Sequence, residues 1–476
     1  MMRLVLSVLL VVCYNTVFPQ DTTNGIIWYP AVLLSDTTIN AFTPKIATTG
    51  DDTIHVTWEG ATERWPYSRS TDQGATFTRV DIYPDTPTIH KAYWNQIVAR
   101  GPSVFNFMRF TTGTPMYMRR SSDAGTTWDS LTIISDSAGL IQNASVEGST
   151  LAVTHSRGGG WVRILRSTDD GDTWTDSPEP LGYAAKGCLG AGFLHLIQNV
   201  FTGNAIELEY RRSTDLGDTW QQTTMLSTID QHDGLDPFIA SNGNVVVATW
   251  REYKYGYGGD VGGSIAARIG VIGSDSTTWL PEQILTQIPF GYKPALSESG
   301  NGFASAWMMN RETSPRAQVR VLRDTSWSPP FDPSGGHTVA VTGIDVALSA
   351  NSVHVVWESK YRDPDYYVVF YRRGAFQTTD VSLEDRTSPD LVRLEQNYPN
   401  PFNPATTIAY SIPRKTTVVL KVYDLIGREV AKLEDGEKNS GTYNVEWDAG
   451  NFGAGVYFYR LSTDRVTMTK KAILLK

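Results

Sequence analysis

Glu59, Glu358 and Tyr361, together with Arg109, Arg251 and Arg311, fall at near-equivalent places in a repeating module of this 476-residue chain. Paired carboxylates can do acid and base work on a glycosidic bond. Arginine holds an acidic group through two parallel hydrogen bonds. Trp65 and Trp94 offer flat apolar faces on which a sugar can pack. A tyrosine, histidine and arginine together can instead take a proton beside a uronate carboxylate, as a lyase requires. The plainer alternative is a wet polar rim laced with salt bridges, because strand ends are polar in any such array. Asp230, His232, Asp233 and Asp236 carry ligand types for a divalent cation. Their spacing matches no established ligand pattern, so they also read as a solvated loop, and neither a metal nor a cofactor is expected.

These side chains need elements to position them, and the sequence shows which. Four octapeptides follow S-x-D-x-G-x-T-[W/F]: Ser70–Phe77, Ser121–Trp128, Ser167–Trp174 and Ser213–Trp220. They return roughly every 45 to 50 residues, a period that signals a repeat architecture of sheets. Ser70, Asp72 and Gly74, Ser121, Asp123 and Gly125, Ser167, Asp169 and Gly171, and Ser213, Asp215 and Gly217 suit a tight hairpin. Serine and aspartate bind nearby amides, and glycine takes the left-handed position. The closing Trp or Phe is expected to pack between neighbouring sheets. The aspartates are therefore structural. Seven modules can be counted, the last three with eroded remnants such as Ser276–Trp279 and Thr325–Trp327. Gly25 to Leu34 has no module of its own and is expected to close the ring against the last one. The fold class is thus all-β: a seven-bladed (alternatively six-bladed) β-propeller over residues 25–384, a linker over 385–393, and a small immunoglobulin-like β-sandwich over 394–476.

The octapeptide resembles the Asp-box, or BNR repeat, of sialidase-like propellers. That resemblance implies an arginine triad for a substrate carboxylate, a tyrosine nucleophile with a glutamate partner, and an acid/base aspartate. The Arg-Ile-Pro signature of sialidases is absent; the nearest segment is Pro44-Lys45-Ile46-Ala47, and lysine lacks the planar fork of arginine. In a four-stranded blade the boxes share a face with the turns between first and second strands. The ligand-binding face is then the opposite one. Three functions remain open: a glycan-cleaving enzyme with Glu59, Glu358 and Tyr361 as catalytic residues and Arg109, Arg251, Arg311, Trp65 and Trp94 binding substrate; a non-catalytic surface or adhesion propeller; and a polysaccharide lyase.

The formal net charge of −9 and the lack of a basic stripe exclude a nucleic-acid footprint. Arg3 followed by the apolar run Leu4 to Val12 reads as a secretory signal over residues 1–20. No later segment is long and apolar enough to span a bilayer. Cys188 is then alone and reads as a buried thiol. Beyond Leu394 the chain carries Asn397-Tyr398-Pro399-Asn400-Pro401-Phe402-Asn403-Pro404, Val422-Tyr423-Asp424, Gly455-Val456-Tyr457 and a Lys470-Lys471 ending. This segment resembles the type A sorting domain of type IX secretion. The resemblance implies that residues 394–476 engage that machinery, and that the protein is secreted or held at the cell surface, where an extracellular glycan or surface ligand is its expected partner.

Overall fold

The computed structural model describes residues 21–376 and 393–474, apart from 24, 38, 51–52, 61–65, 82–92, 111–114, 137–138, 157–160, 178–180, 222, 231, 255–262, 287–290, 301, 310–315, 324–325, 336–340, 362, 395–396, 398–399, 401, 413–414, 425–426, 440 and 464–466. The expected signal segment and nearly all of the linker lie outside the described residues. The chain divides into two compact units, with the boundary between Gln377 and Thr378.

Strand-forming β-branched and aromatic residues alternate with turn residues throughout the first unit, and it contains seven antiparallel sheets among the described residues. Their first strands are Ala41–Thr49, Tyr93–Arg100, Leu140–Glu147, Tyr183–Gly190, Gly234–Ser241, Gly291–Ser299 and Val341–Leu348. Each runs beside the first strand of the next sheet, and the seventh runs beside the first, so the array closes on itself. Every one of the seven carries a register shift near its start, for example between Phe42 and Lys45 and between Leu235 and Phe238. A bulge at this place bends each strand and re-aims the side chains that follow it.

The four octapeptides form one turn, repeated. In each, the residue before glycine also has positive φ: Gln73, Ala124, Asp170 and Leu216 lie between 53° and 60°, followed by Gly74, Gly125, Gly171 and Gly217 between 78° and 97°. Two successive left-handed residues make a type I′ turn, the form that matches strand twist. The serine hydroxyl donates to the aspartate (Ser167 to Asp169, 2.7 Å) and accepts the glycine N–H (Gly171, 2.9 Å). The other carboxylate oxygen accepts the threonine hydroxyl (Thr173 to Asp169, 2.6 Å). Hydrogen bonds from the threonine four residues on lower Asp123 and Asp169 to about 2; in Asp215 those from Ser213 and Thr219 do the same. The closing aromatic leaves its own sheet: Trp128 packs edge-on against Tyr67, Trp174 against Phe107 and Phe77 against Tyr371, each on the preceding sheet.

Beneath these turns, buried histidine–tyrosine pairs tie sheet to sheet. His55 bonds Tyr67 at 2.7 Å, His195 bonds Tyr210 at 2.7 Å and His354 bonds Tyr371 at 2.8 Å. The tyrosine then reaches the next box: a Cβ on Gly125 would lie 1.9 Å from the Tyr67 hydroxyl, and one on Gly74 would lie 2.0 Å from that of Tyr371. Sequence reading overlooked a further tie although it is plain in the chain: arginine precedes the serine of every box, at 69, 120, 166 and 212. Arg120 and Arg166 reach the carbonyls of the following box at 3.0 to 3.2 Å.

The last sheet is completed from the other end of the unit. Ile26–Trp28 pairs with the outer part of Asp363–Phe376, and Val32–Leu33 pairs with the same strand further along. Trp28 is fully buried and stacks on Phe331 at 4.1 Å.

The second unit packs two sheets around one core, of three and four strands. Ile408, Tyr410, Val418, Leu420, Val422, Trp447, Tyr459 and Leu461 fill it from both sides. The proline-rich segment clasps the final strand: Phe402 N–H donates to Ile473 at 2.9 Å, and Ile473 N–H donates to the Asn400 side chain at 2.8 Å. The strand Glu429–Lys438 escapes sequence reading because none of its residues is fully buried: on this edge only Val430, Ala431 and Leu433 pack, and only partly, against the core.

Two outcomes are expected. Gly125→Ala combines a positive φ with a clash against Tyr67, and should cost roughly 3 kcal/mol or more. Gly148→Ala, where φ is +56° and nothing lies within 4 Å, should cost about 1–2 kcal/mol; urea unfolding compares the two. The box carboxylates have depressed pKa values, so their contribution is present above the ordinary carboxylate range and is lost as pH falls from about 4 towards about 2. Tryptophan fluorescence during acid titration should report the loss in that window, and Asp169→Asn should reduce the slope there.

Candidate functional site

The seven bulged strands enclose a central channel of about 520 Å³, to which every first strand contributes side chains. Its wall is mixed rather than apolar. Lys45, Gln96, Asn143, Glu298 and Asp345 face it among Ile, Val, Leu and Ala. Lys186 donates to the Gln142 carbonyl, and its ammonium lies 4.7 Å from the Phe238 ring. Burial, with Lys45 adding repulsion, lowers Lys186 to about 7. Asp345 accepts the Ile46 N–H at 3.1 Å, and burial raises its pKa. At the end nearer the boxes, burial and then Glu147 raise Glu298 to about 7. Cys188 lies in the inner strand of the fourth sheet, 5% exposed, with its thiol pushed well up by burial.

The box side and the opposite face are fixed by contacts within single sheets. Ala124 N–H donates to Pro102, and Asp170 N–H to Ser149, so each box sits on the turn between the first and second strands of its own sheet. The ends of the second strands therefore open on the other face.

There Glu59 stands near the end of Thr53–Gly60, opposite Phe42 in the ladder. Glu358 is 5% exposed and both its oxygens are engaged, by the Thr43 N–H at 2.8 Å and the Thr342 hydroxyl at 2.5 Å. Burial raises its pKa. Arg109 is 2% exposed and donates to the Gly139 carbonyl at 3.3 Å. Arg251 pairs with Asp236 at 3.1 Å and lies 5.0 Å from the Tyr253 ring centre. Tyr361 ends its strand and Trp94 lies near the start of Tyr93–Arg100; only their backbones are described. Trp65 and Arg311 lie outside the described residues. The structure thus joins Glu358 to the first sheet.

Two further carboxylates lie on this face, and of these only Glu207 escaped sequence reading. Glu252 accepts from the Trp250 indole and the Lys254 N–H, both at 3.1 Å, and burial raises its pKa. Glu207, fully buried, accepts the Ser227 hydroxyl at 2.5 Å and the Asp230 N–H at 3.1 Å. The Asp230–Asp236 group disperses: Asp230 bonds His232 at 3.2 Å, Asp233 accepts the Ile206 N–H at 2.8 Å, and Asp236 faces Arg251. Among the described residues no three metal-ligating side chains gather.

Three apolar side chains stand out on this face. Trp161, before the third strand of the third sheet, is 48% exposed; Phe201, the last residue of the second strand of the fourth, is 75% exposed; Ile229, on the following connection, is 63% exposed. Sequence periodicity passes over them because Trp161 and Ile229 lie outside strands and Phe201 at the very end of one. The one signal is a bulky aromatic directly after Gly158-Gly159-Gly160.

Comparison with known proteins bears first on the second unit. Residues 396–475 match the secretion system C-terminal sorting domain. The protein is therefore exported by type IX secretion and is secreted or held at the outer-membrane surface. Among the described residues no helix is long and apolar enough to cross a membrane. No curated protein matches the sequence. Similar solved structures include a protein of unknown function from Dyadobacter fermentans (15% identity, 75% of this chain and 100% of that one, TM-score 0.45), Trypanosoma rangeli sialidase (12%, 94% and 86%, 0.40) and the polysaccharide lyase Uly1 (9%, 74% and 100%, 0.48). At these TM-scores none of them assigns an activity.

Removal of residues 394–476 should leave the protein in the periplasm, as read by cell fractionation and immunoblotting. Its normal release from the cell would contradict the sorting role.

Proposed function

We propose that the first unit is a seven-bladed propeller that binds an extracellular glycan on the face opposite its boxes without cleaving it. In this reading the sorting unit, with an immunoglobulin-like sandwich, delivers that binding surface outside the cell. The observation that carries the proposal is the run of exposed Trp161, Phe201 and Ile229 across successive sheets on that face. Aromatic faces in water gain by covering the apolar side of a sugar ring. Arg251, beside Tyr253 on the fifth sheet, extends this surface, and Trp65, Trp94 and Arg311 remain candidates for it from the sequence alone, while Arg109, buried against Gly139, is a positioning residue. The carboxylates that acid–base chemistry would need are already committed: Glu358, Glu252 and Glu207 each accept hydrogen bonds from backbone and side-chain donors.

One observation favours a hydrolytic reading. Burial raises the Glu358 pKa, the direction a general acid requires, with Tyr361 on the same strand and Glu59 on the neighbouring sheet as its companions.

The test is a glycan array probed with the mature chain. Trp161→Ala with Phe201→Ala should weaken binding about tenfold, since two such contacts contribute roughly 1–3 kcal/mol. Glu358→Gln should bind as the parent does. Release of reducing ends, or an unsaturated product absorbing in the ultraviolet, would replace this reading with the hydrolase or the lyase respectively.

A further inference from the structure

The junction between the seventh and first sheets differs at one point from those after the second and third sheets. Register places Arg373 opposite His354, as Arg69 lies opposite His55, Arg120 opposite Phe105, Arg166 opposite Ala152 and Arg212 opposite His195. Arg373 is thus the box-preceding arginine of a sheet that has lost its box. At two junctions this arginine meets an aspartate placed just after the glycine of the following box. Arg120 pairs with Asp172 at 2.9 Å and Arg166 with Asp218 at 2.5 Å. Arg212 finds two carbonyls instead, of Gly273 and Ser274. For Arg373 the following box is the first, and there Ala75 holds the place of Asp172 and Asp218. Arg373 donates to the Ser352 hydroxyl at 3.0 Å and to the Gln73 carbonyl of that box at 3.5 Å, and lies 4.8 Å from the Tyr29 ring centre, with no carboxylate partner among the described residues.

A cleft of about 240 Å³ opens at this point. It exists because the returning segment pairs with the last strand twice, through Ile26–Trp28 and Val32–Leu33, and bows out between them at Tyr29, Pro30 and Ala31. Arg373 and Ala75 line it, with Pro30, Val32 and Leu33 as apolar wall and Tyr29, 39% exposed, at the rim. No acidic residue lines it. At the junction between the second and third sheets the comparable space is about 100 Å³, and Asp129 and Asp172 both line it beside Arg120.

We propose that this cleft binds a small carboxylate with a short apolar or aromatic body. The ligand's carboxylate meets Arg373 from the position that Asp172 and Asp218 hold elsewhere, and its body covers Pro30, Val32 and Leu33. The site lies on the box side of the ring and is independent of the glycan surface. A guanidinium–carboxylate contact gives the charge preference, and the apolar wall gives the selection for a body of limited size.

Phenylacetate and its uncharged analogue phenylacetamide test the site by isothermal titration and ligand-observed NMR on the mature chain. Phenylacetate should bind at least about tenfold more tightly than phenylacetamide, the loss expected for removing a charged hydrogen-bond partner. Arg373→Gln should remove that preference. Ala75→Asp, which restores the carboxylate seen at two other junctions, should weaken phenylacetate about tenfold or more while leaving the fold intact. It keeps the test decisive even where Arg373→Gln fails to fold. No phenylacetate binding, equal binding of the amide, or unchanged binding in Ala75→Asp would each overturn the proposal.

Discussion

Closure of the ring is the constraint on which the first unit depends. Each sheet buries both faces against neighbours, so a ring opened at one junction exposes two apolar faces together. At the junction of the seventh and first sheets the chain passes from the returning segment, paired with the last strand, into Ala41–Thr49, and contacts between residues far apart in sequence reinforce it. One cluster there joins Leu34, Ile46, Val56, Trp58 and Phe77 to Ala347, Val356, Val369 and Tyr371. Backbone donors on one side find side-chain acceptors on the other: Thr43 on Glu358, Ile46 on Asp345, Val369 on Ser35 and Tyr367 on Asn40. Buried carboxylates are costly unless fully hydrogen-bonded, and at this seam Glu358 and Asp345 find backbone donors on the first sheet.

That use of carboxylates explains why charge alone misleads on the open face. Glu358 has the residue type, location and raised pKa expected of a catalytic acid. Its two oxygens are nonetheless occupied by the partners that hold the seventh sheet to the first. Glu207 and Glu252 likewise anchor the connection that holds Asp230 and Lys254. A strongly perturbed group is as much the mark of a structural tie as of a reaction centre, and the hydrogen-bond partners separate the two cases.

Much of the framework was legible in the chain because it repeats. The boxes declare their turns through Ser, Asp and Gly at fixed offsets, and the closing Trp or Phe lies on the preceding sheet, between neighbours as expected. The returning segment at Ile26 to Leu33 also pairs with the last strand as its lack of a module implied. What stayed hidden follows physical rules that alternation does not encode. Positive φ at Gln73 or Leu216 leaves no trace in residue type. The strand Glu429–Lys438 has only a partly buried face, of Val430, Ala431 and Leu433, to betray it. Exposed Trp161 and Phe201 lie at or beyond strand ends, where alternation gives no signal. The candidate site was legible only as a face. Which of its charges are free for a ligand depends on contacts between sheets some 300 residues apart in sequence, such as Thr43 with Glu358.

Repetition also makes departures informative. Where seven sheets solve the same packing problem, a residue that breaks the shared solution needs a reason of its own. Arginine before the box reaches the following turn at three junctions, through Arg120, Arg166 and Arg212. Its equivalent at the seam keeps the register and a carbonyl contact, on Gln73, and lacks the acid that Arg120 and Arg166 meet. Glycine at the box is fixed by its left-handed φ and by the side chain below it, a tyrosine hydroxyl at Gly74 and Gly125, so that position cannot drift; the residue after glycine is exposed in all four boxes and is free to vary. Asp, Thr and Ala all occur there. Selection on packing is therefore weak where Ala75 stands and strong one residue earlier. In such a ring, chemistry is most readily gained at positions the shared turn leaves unconstrained, beside an arginine the shared packing already holds in place.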